Sequence, residues 1–325
     1  MRHQNENALA GGRVVDMVGR SRAQRQKTLG RTVAVAGIGL HSGKPVTMTL
    51  APATADSGIR FQRSDLVGPA SHLPARWDLV GDTQLCTALI NDRGVRIGTV
   101  EHLMAAFAGC GIDNVIVRLD ADEVPVMDGS AAPFVTLIES AGVVEQATFR
   151  RAIKILRAIT VGDAAQHATL APGDGFTVDF EIEFDAEIVA RQQRCLKLVN
   201  GAFKSEIAGA RTFGFAHEIE QLRSAGLARG GSLDNAVVVS GSRVLNKEGL
   251  RYPDEFVRHK MLDAVGDLYL AGAPIIGRYV GMRSGHRLNN ALLRALFADS
   301  AAWCHVWVRD EAGPSPADRR VAALA

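Results

Sequence analysis

Residues 253–272, PDEFVRHKMLDAVGDLYLAG, carry the start, the face and the stop of one helix. Pro253 opens it, Asp254 and Glu255 put negative charge where the N-terminal dipole favours it, and Gly272 closes it. His259, Asp263 and Asp267 recur every four residues, so successive turns stack them on about one face. Phe256, Leu262, Val265 and Leu268 supply apolar surface elsewhere on the same helix, so neighbours can bury it while the His/Asp stripe faces a cleft. The spacing His-x-x-x-Asp is common in purely structural helices, so the stripe alone leaves a solvated face open beside a ligand set.

A second helix bears on the first. Residues 99–108, TVEHLMAAFA, are rich in good helix formers and are followed by Gly109 and Gly111, with Glu101 and His102 as the polar pair. TVEHLMAAFAG aligns without a gap on FVRHKMLDAVG (256–266), placing His102 over His259, Met104 over Met261 and Gly109 over Gly266. Such an echo predicts a duplicated unit whose two helices face each other across a pseudo-twofold axis, with the histidines meeting at the interface where ligand sites are common.

That meeting would suit a metal. A catalytic zinc site takes three protein ligands and keeps one position for water. His259 and Asp263 offer two, and His102 is the natural third. Zinc lowers the pKa of its water from about 15.7 to about 7, which at about 1.4 kcal/mol per unit is roughly 12 kcal/mol of stabilisation for hydroxide. Glu101, at a helix end beside such a water, can take its proton as general base, although a solvated charge is the bland reading of the same residue. His286 follows Ser284 and Gly285 at the head of a further helix, where the dipole disfavours imidazolium by about 0.3–1 kcal/mol. A close Asp267 would offset that and keep a cationic histidine able to protonate a leaving amine. A turn histidine beside a solvated aspartate is the alternative.

The remaining chain reads as mixed strands and helices. Strands are expected at 32–35 and 46–50, joined by the glycine-rich turn GIGLHSGK (37–44) that carries His41. A buried strand follows at 113–119, then a turn and a helix with Ser130 as cap and Pro133 in its first turn. Later strands are expected at 152–161, 176–184, 236–240, 275–282 and 304–310, with an irregular run over 185–210 and a helix over 288–297. No regular βαβ spacing appears, which predicts an α+β fold: two similar domains, 26–147 and 148–325, each a layer of helices on a sheet. Residues 1–25 are polar and arginine-bearing, without the apolar segment of a secretory signal, and are expected to be a disordered extension or a weak membrane-surface or partner-binding arm.

Composition narrows the classes. The chain has 325 residues, 47% hydrophobic and 22% charged, the profile of an ordinary globular protein rather than a disordered one. No run of about eighteen apolar residues suggests a transmembrane helix. A formal charge of +2 gives no electrostatic footprint for nucleic acid, though it leaves an anionic small molecule as partner. The four cysteines, Cys86, Cys110, Cys195 and Cys304, lie far apart without a CxxC pair, which fits a reducing cytoplasm and no cysteine metal site.

Several motifs act jointly: EHLMAAFAGCGIDN (101–114), MDGSAAPF (127–134), ARTFGF (210–215), GGS (230–232), DEFVRHKMLDAVGD (254–267) and SGH (284–286). In these the chain, from about Gln26 onward, resembles the bacterial UDP-3-O-acyl-N-acetylglucosamine deacetylases, zinc hydrolases of lipid A biosynthesis. The resemblance implies a two-domain fold with the active site at the domain interface, and hydrolysis of an N-acetyl group to acetate and the free amino sugar. It implies His102, His259 and Asp263 as zinc ligands, Glu101 as general base, and His286 as general acid oriented by Asp267. It further implies Thr212 on the oxyanion, with Phe213, Lys260 and His41 as substrate contacts. An insert in the second domain, expected near 185–200, would form the acyl-chain passage. The stretch DAEIVARQQ (185–193) departs from the pattern, lacking the His-Pro of some relatives. The other readings are a zinc amidohydrolase for another acylated amino sugar and a non-catalytic nucleotide-sugar binder, against which the joint presence of Glu101 and His286 speaks.

Overall fold

The computed structural model describes residues 14–15, 23–199 and 201–309, so most of the expectation for residues 1–25 lies outside the described residues. Five α-helices are described: α1 (Glu101–Cys110), α2 (Ala132–Ala141), α3 (Ile219–Ser224), α4 (Glu255–Tyr269) and α5 (His286–Ala298).

The first half builds a five-stranded sheet. Its order is Val33–Ile38, Pro45–Pro52, Val115–Leu119, Ile59–Arg63 and His72–Pro74. The first two strands form the expected hairpin around His41, pairing Val33 with Leu50 and Ile38 with Pro45. The second half builds a larger sheet in which Ile275–Met282 is the hub. It pairs parallel with Arg151–Ile155 and Phe176–Glu183 and antiparallel with His167–Ala171. Its alternating burial places Ile275, Gly277, Tyr279 and Gly281 inward. Helices and sheets are thus layered in both halves, the α+β arrangement expected.

The halves meet through α1 and α4, which pack directly on each other. A Cβ at Gly266 would stand 1.9 Å from the Glu101 carbonyl oxygen, so only glycine allows the two backbones to cross this closely. Buried apolar residues of both sheets and both helices form one continuous cluster, from Leu29 through Met104, Phe107, Met261 and Leu262 to Trp303. α4 also lies on strands Phe176–Glu183 and Arg191–Lys197, while α5 covers strands Ile159–Gly162 and His167–Ala171.

Local differences from expectation have physical causes. Thr99 was expected inside α1, but its φ of +57° is incompatible with a right-handed helix, and α1 begins two residues later. Gly109 does not end α1. A Cβ there would lie 2.0 Å from the Phe203 ring, so this glycine serves packing while Gly111, at φ +68°, makes the left-handed cap. The single segment expected over 152–161 divides into two strands, Arg151–Ile155 and Ile159–Gly162. Within the run expected to be irregular, Arg191–Lys197 forms a strand paired antiparallel to Phe176–Glu183. Phe213–Phe215, Val237–Ser240 and Arg243–Val244 form a small separate three-stranded sheet, with α3 between its first two strands in the chain.

Candidate active site and metal centre

The stripe on α4 is buried, not solvated: His259, Asp263 and Asp267 are each 3% exposed. Opposite them, Glu101 and His102 open the first turn of α1 and are equally buried. The close crossing at Gly266 is what brings the two polar faces together.

His102, His259 and Asp263 converge. The Nε2 atoms of His102 and His259 lie 3.5 and 3.4 Å from Asp263 Oδ1, and one ligand atom from each residue falls within 4.8 Å of the others. The two rings stand edge to face at 4.9 Å. A tetrahedral zinc with bonds of about 2.0–2.1 Å would space its ligand atoms about 3.3 Å apart, close to the two shortest separations. Two further observations fit a cation. Asp263 Oδ1 is buried without a hydrogen-bond partner, a costly state for a carboxylate oxygen unless a positive charge faces it. His259 Nδ1 sits 3.0 Å from the Ala210 carbonyl, which fixes the proton on Nδ1 and leaves the Nε2 lone pair for a ligand bond. Burial pushes His259 down to about 4, so the ring is neutral, as a metal ligand must be. Burial works against ionising Asp263, but His259 and Lys260 hold its carboxyl well below the usual range. Lys260 donates to Asp263 Oδ2 at 2.8 Å, leaving Oδ1 free for the shared centre.

A second cluster adjoins the first. His286, the first residue of α5, places Nδ1 2.9 Å from Asp267 Oδ2 and Nε2 3.8 Å from Glu101 Oε1. Burial and the helix dipole both disfavour imidazolium, yet Asp267 and Glu101 outweigh them and push His286 up to about 9. Burial likewise raises the Glu101 carboxyl, an effect that His286 and His102 partly oppose. The arrangement pairs a carboxylate able to accept a proton with an imidazolium able to give one, both beside a ligand cluster.

The other expected residues surround this centre. The Phe213 ring lies 6.3 Å from His259, 5.0 Å from Phe256 and 5.6 Å from Phe184, making an aromatic wall beside His259. Thr212 is half-buried in the same segment, two residues beyond the Ala210 carbonyl. That segment is held to α4 by Glu255, fully buried, which accepts from the Arg211 N–H at 3.0 Å, Arg211 Nε at 2.9 Å and the Arg251 N–H at 2.6 Å. His41 is buried too, and its ring is lowered by burial, with His286 close enough to add repulsion.

Three residues at the site escaped the sequence reading. Glu123, 1% exposed, accepts from the backbone of His41 (2.9 Å) and Ser42 (2.8 Å) and from the Thr99 hydroxyl (2.8 Å), tying the His41 turn to the entry of α1. Thr87 donates to both Glu101 and Asp267, and Asn289 donates to Asp267 at 2.8 Å. Each is a single polar residue with no periodicity around it. Only Asn289 had a signal, its position three residues beyond His286 on the same helix face.

No helix among the described residues is long and apolar enough to cross a membrane. The chain is 51% identical over 280 residues to a UDP-3-O-acyl-N-acetylglucosamine deacetylase of Shewanella frigidimarina, covering 86% of this chain and 91% of the relative. Relatives with the same name from Idiomarina loihiensis and Haemophilus influenzae are 50% and 51% identical, covering 90% and 88% of this chain and 96% and 94% of their own. With residues 26–298 matching its family model, the chain belongs to the UDP-3-O-acyl N-acetylglycosamine deacetylase family, LpxC.

Proposed function

We propose that this chain hydrolyses the N-acetyl group of a UDP-3-O-acyl-N-acetylglucosamine, releasing acetate and the free amine, as a zinc-dependent cytoplasmic enzyme at an early step of lipid A biosynthesis. The observation that carries the reading is the juxtaposition of the His102, His259 and Asp263 cluster with a Glu101 carboxylate and a His286–Asp267 pair, in a chain of this family. Binding alone would need neither the proton acceptor nor the proton donor. The four free cysteines suit a reducing compartment.

His102, His259 and Asp263 would hold the zinc. When bound there, the ion supplies Lewis acidity, bringing the pKa of a water to about 7 and polarising the acetamido carbonyl. Glu101 takes the proton of the attacking water, a role suited to a carboxyl that burial has made more basic. The Thr212 hydroxyl donates to the oxyanion as the carbonyl carbon becomes tetrahedral. His286, protonated because Asp267 and Glu101 face it, gives its proton to the departing amine. Lys260, paired with Asp263 but partly open to solvent, together with His41 and Phe213, contacts the substrate. Phe184, Phe213 and Phe215 form an aromatic wall that reaches His259 through Phe213, and the start of the acyl-chain passage is assigned to it. The units 26–147 and 148–325 each contribute to this site, and neither carries it alone.

Zinc content tests the ligand assignment. Purified protein should hold about one zinc, and Asp263→Ala should lose it while Glu101→Gln keeps it. An Asp263→Ala protein with undiminished zinc would remove Asp263 from the ligand set.

A further inference from the structure

Thr87 lies in the turn before the short strand Ala88–Ile90 and is 1% exposed. All three of its polar groups are spent on the site. Its N–H donates to Glu101 Oε2 at 3.0 Å, its hydroxyl donates to Asp267 Oδ1 at 2.6 Å, and its carbonyl accepts the Val100 N–H at 3.2 Å, directly ahead of α1. It thus hydrogen-bonds to the carboxylates of both the proposed base and the partner of the proposed acid, the same two carboxylates that flank His286.

The two oxygens of Asp267 are loaded unequally. Oδ2 receives His286 Nδ1 at 2.9 Å and Asn289 Nδ2 at 2.8 Å, both from α5. Asn289 is itself fixed, because its Oδ1 accepts the buried Tyr279 hydroxyl at 2.6 Å. Among the described residues Oδ1 receives Thr87 alone, from the first half of the chain and 180 residues away in sequence. A carboxylate turns about its Cβ–Cγ bond unless donors hold both oxygens. Without the Thr87 hydroxyl, Oδ1 would be buried and unsatisfied, and the group would rotate to find another partner, drawing Oδ2 out of line with His286.

We propose that Thr87 is a positioning residue of the reaction: its hydroxyl locks the plane of Asp267 so that His286 faces the scissile bond, while its backbone N–H holds Glu101 in the matching orientation. One residue on the first half thereby aligns proton acceptor and proton donor, which stand on helices from different halves. This rests on the deacetylase reading for its kinetic consequences, whereas the geometry of the His286–Asp267 bond does not depend on the substrate.

The test uses the full chain with its metal. Thr87→Val keeps the shape and removes the hydroxyl; Thr87→Ser restores it. In acetate-release assays, Thr87→Val should lower kcat on the order of ten- to a hundred-fold with KM and zinc content little changed, and Thr87→Ser should recover most of the rate. In an Asp267→Ala background, Thr87→Val should cost little more, because the oxygen its hydroxyl holds is already gone. A wild-type kcat in Thr87→Val, a defect confined to KM, or full additivity with Asp267→Ala would overturn the inference. The hydrogen-bonded Nδ1 proton of His286, assigned in the proton NMR spectrum by its loss in His286→Ala, provides a readout free of the substrate. It should shift or broaden in Thr87→Val and return in Thr87→Ser, and an unmoved resonance overturns the inference. If the wild-type protein released no acetate, the deacetylase reading would fall and the resonance would still decide the role of Thr87. Should Thr87→Val not fold, Thr87→Ala, which places no methyl group against the carboxylate, is read in the same way.

Discussion

At the scale of single residues, charge placement decides the chemistry. His286 sits at the head of α5, where a lone histidine would lose its proton early, and is instead raised to about 9 by Asp267 and Glu101. The sign of the pH dependence follows. A protonated acid is present below that value, so the rate should fall as pH rises through about 9. In Asp267→Asn the main raising charge is gone, and the alkaline fall should begin at lower pH; a kcat/KM profile with an unmoved alkaline limb would contradict this. Glu101→Gln and His286→Ala should each reduce kcat by about 10²–10⁴, the usual worth of a positioned proton carrier, with zinc retained. Steady-state kinetics beside metal analysis checks both, and a loss confined to KM would remove the assigned role. The ligand and proton-transfer candidates were legible because they repeat at helical spacing or sit in long motifs. Thr87 and Glu123 were not: their partners lie 180 and 82 residues away, a separation that no local pattern encodes.

At the scale of elements, the crossing of α1 and α4 is the feature on which the site depends. A glycine in a helix interior normally costs about 1 kcal/mol against alanine. Gly266→Ala should reverse that sign, because the added methyl would meet the Glu101 carbonyl oxygen, which is backbone and cannot swing aside. A destabilisation of about 1–3 kcal/mol by denaturant titration, with weakened zinc binding, is the expected outcome; a more stable Gly266→Ala protein would show that the crossing is loose. The ungapped echo between 99–109 and 256–266 correctly paired His102 with His259, whose rings meet. It did not foretell that the aligned glycines would differ in use, Gly109 clearing Phe203 and Gly266 clearing α1. The amphipathic strand 176–183 and the hub strand 275–282 were plain from their patterning. Strand Arg191–Lys197 was hidden, since RQQRCLK has almost no apolar signal and is held by its partner's hydrogen bonds.

At the scale of the whole molecule, two sheet-and-helix halves share one apolar core and one polar seam, where His102 from the first half meets His259 and Asp263 from the second. A ligand that binds only the folded protein stabilises it by mass action, so free zinc at a hundred times its Kd should add about 2.7 kcal/mol to unfolding, an increment that Asp263→Ala should abolish. The mixing of strand and helix patterns without regular βαβ spacing foretold the α+β class; it could not foretell how closely α1 and α4 approach, because that depends on the contact at Gly266. The central claim is that this site removes the acetyl group with Glu101 and His286 as proton carriers, and that it does so only when His102, His259 and Asp263 hold zinc. Its most direct measurement is acetate release from UDP-3-O-acyl-N-acetylglucosamine by protein stripped of metal with a chelator, before and after one equivalent of zinc is returned. The account predicts near-complete loss and then recovery; full activity in protein verified to be metal-free would contradict it.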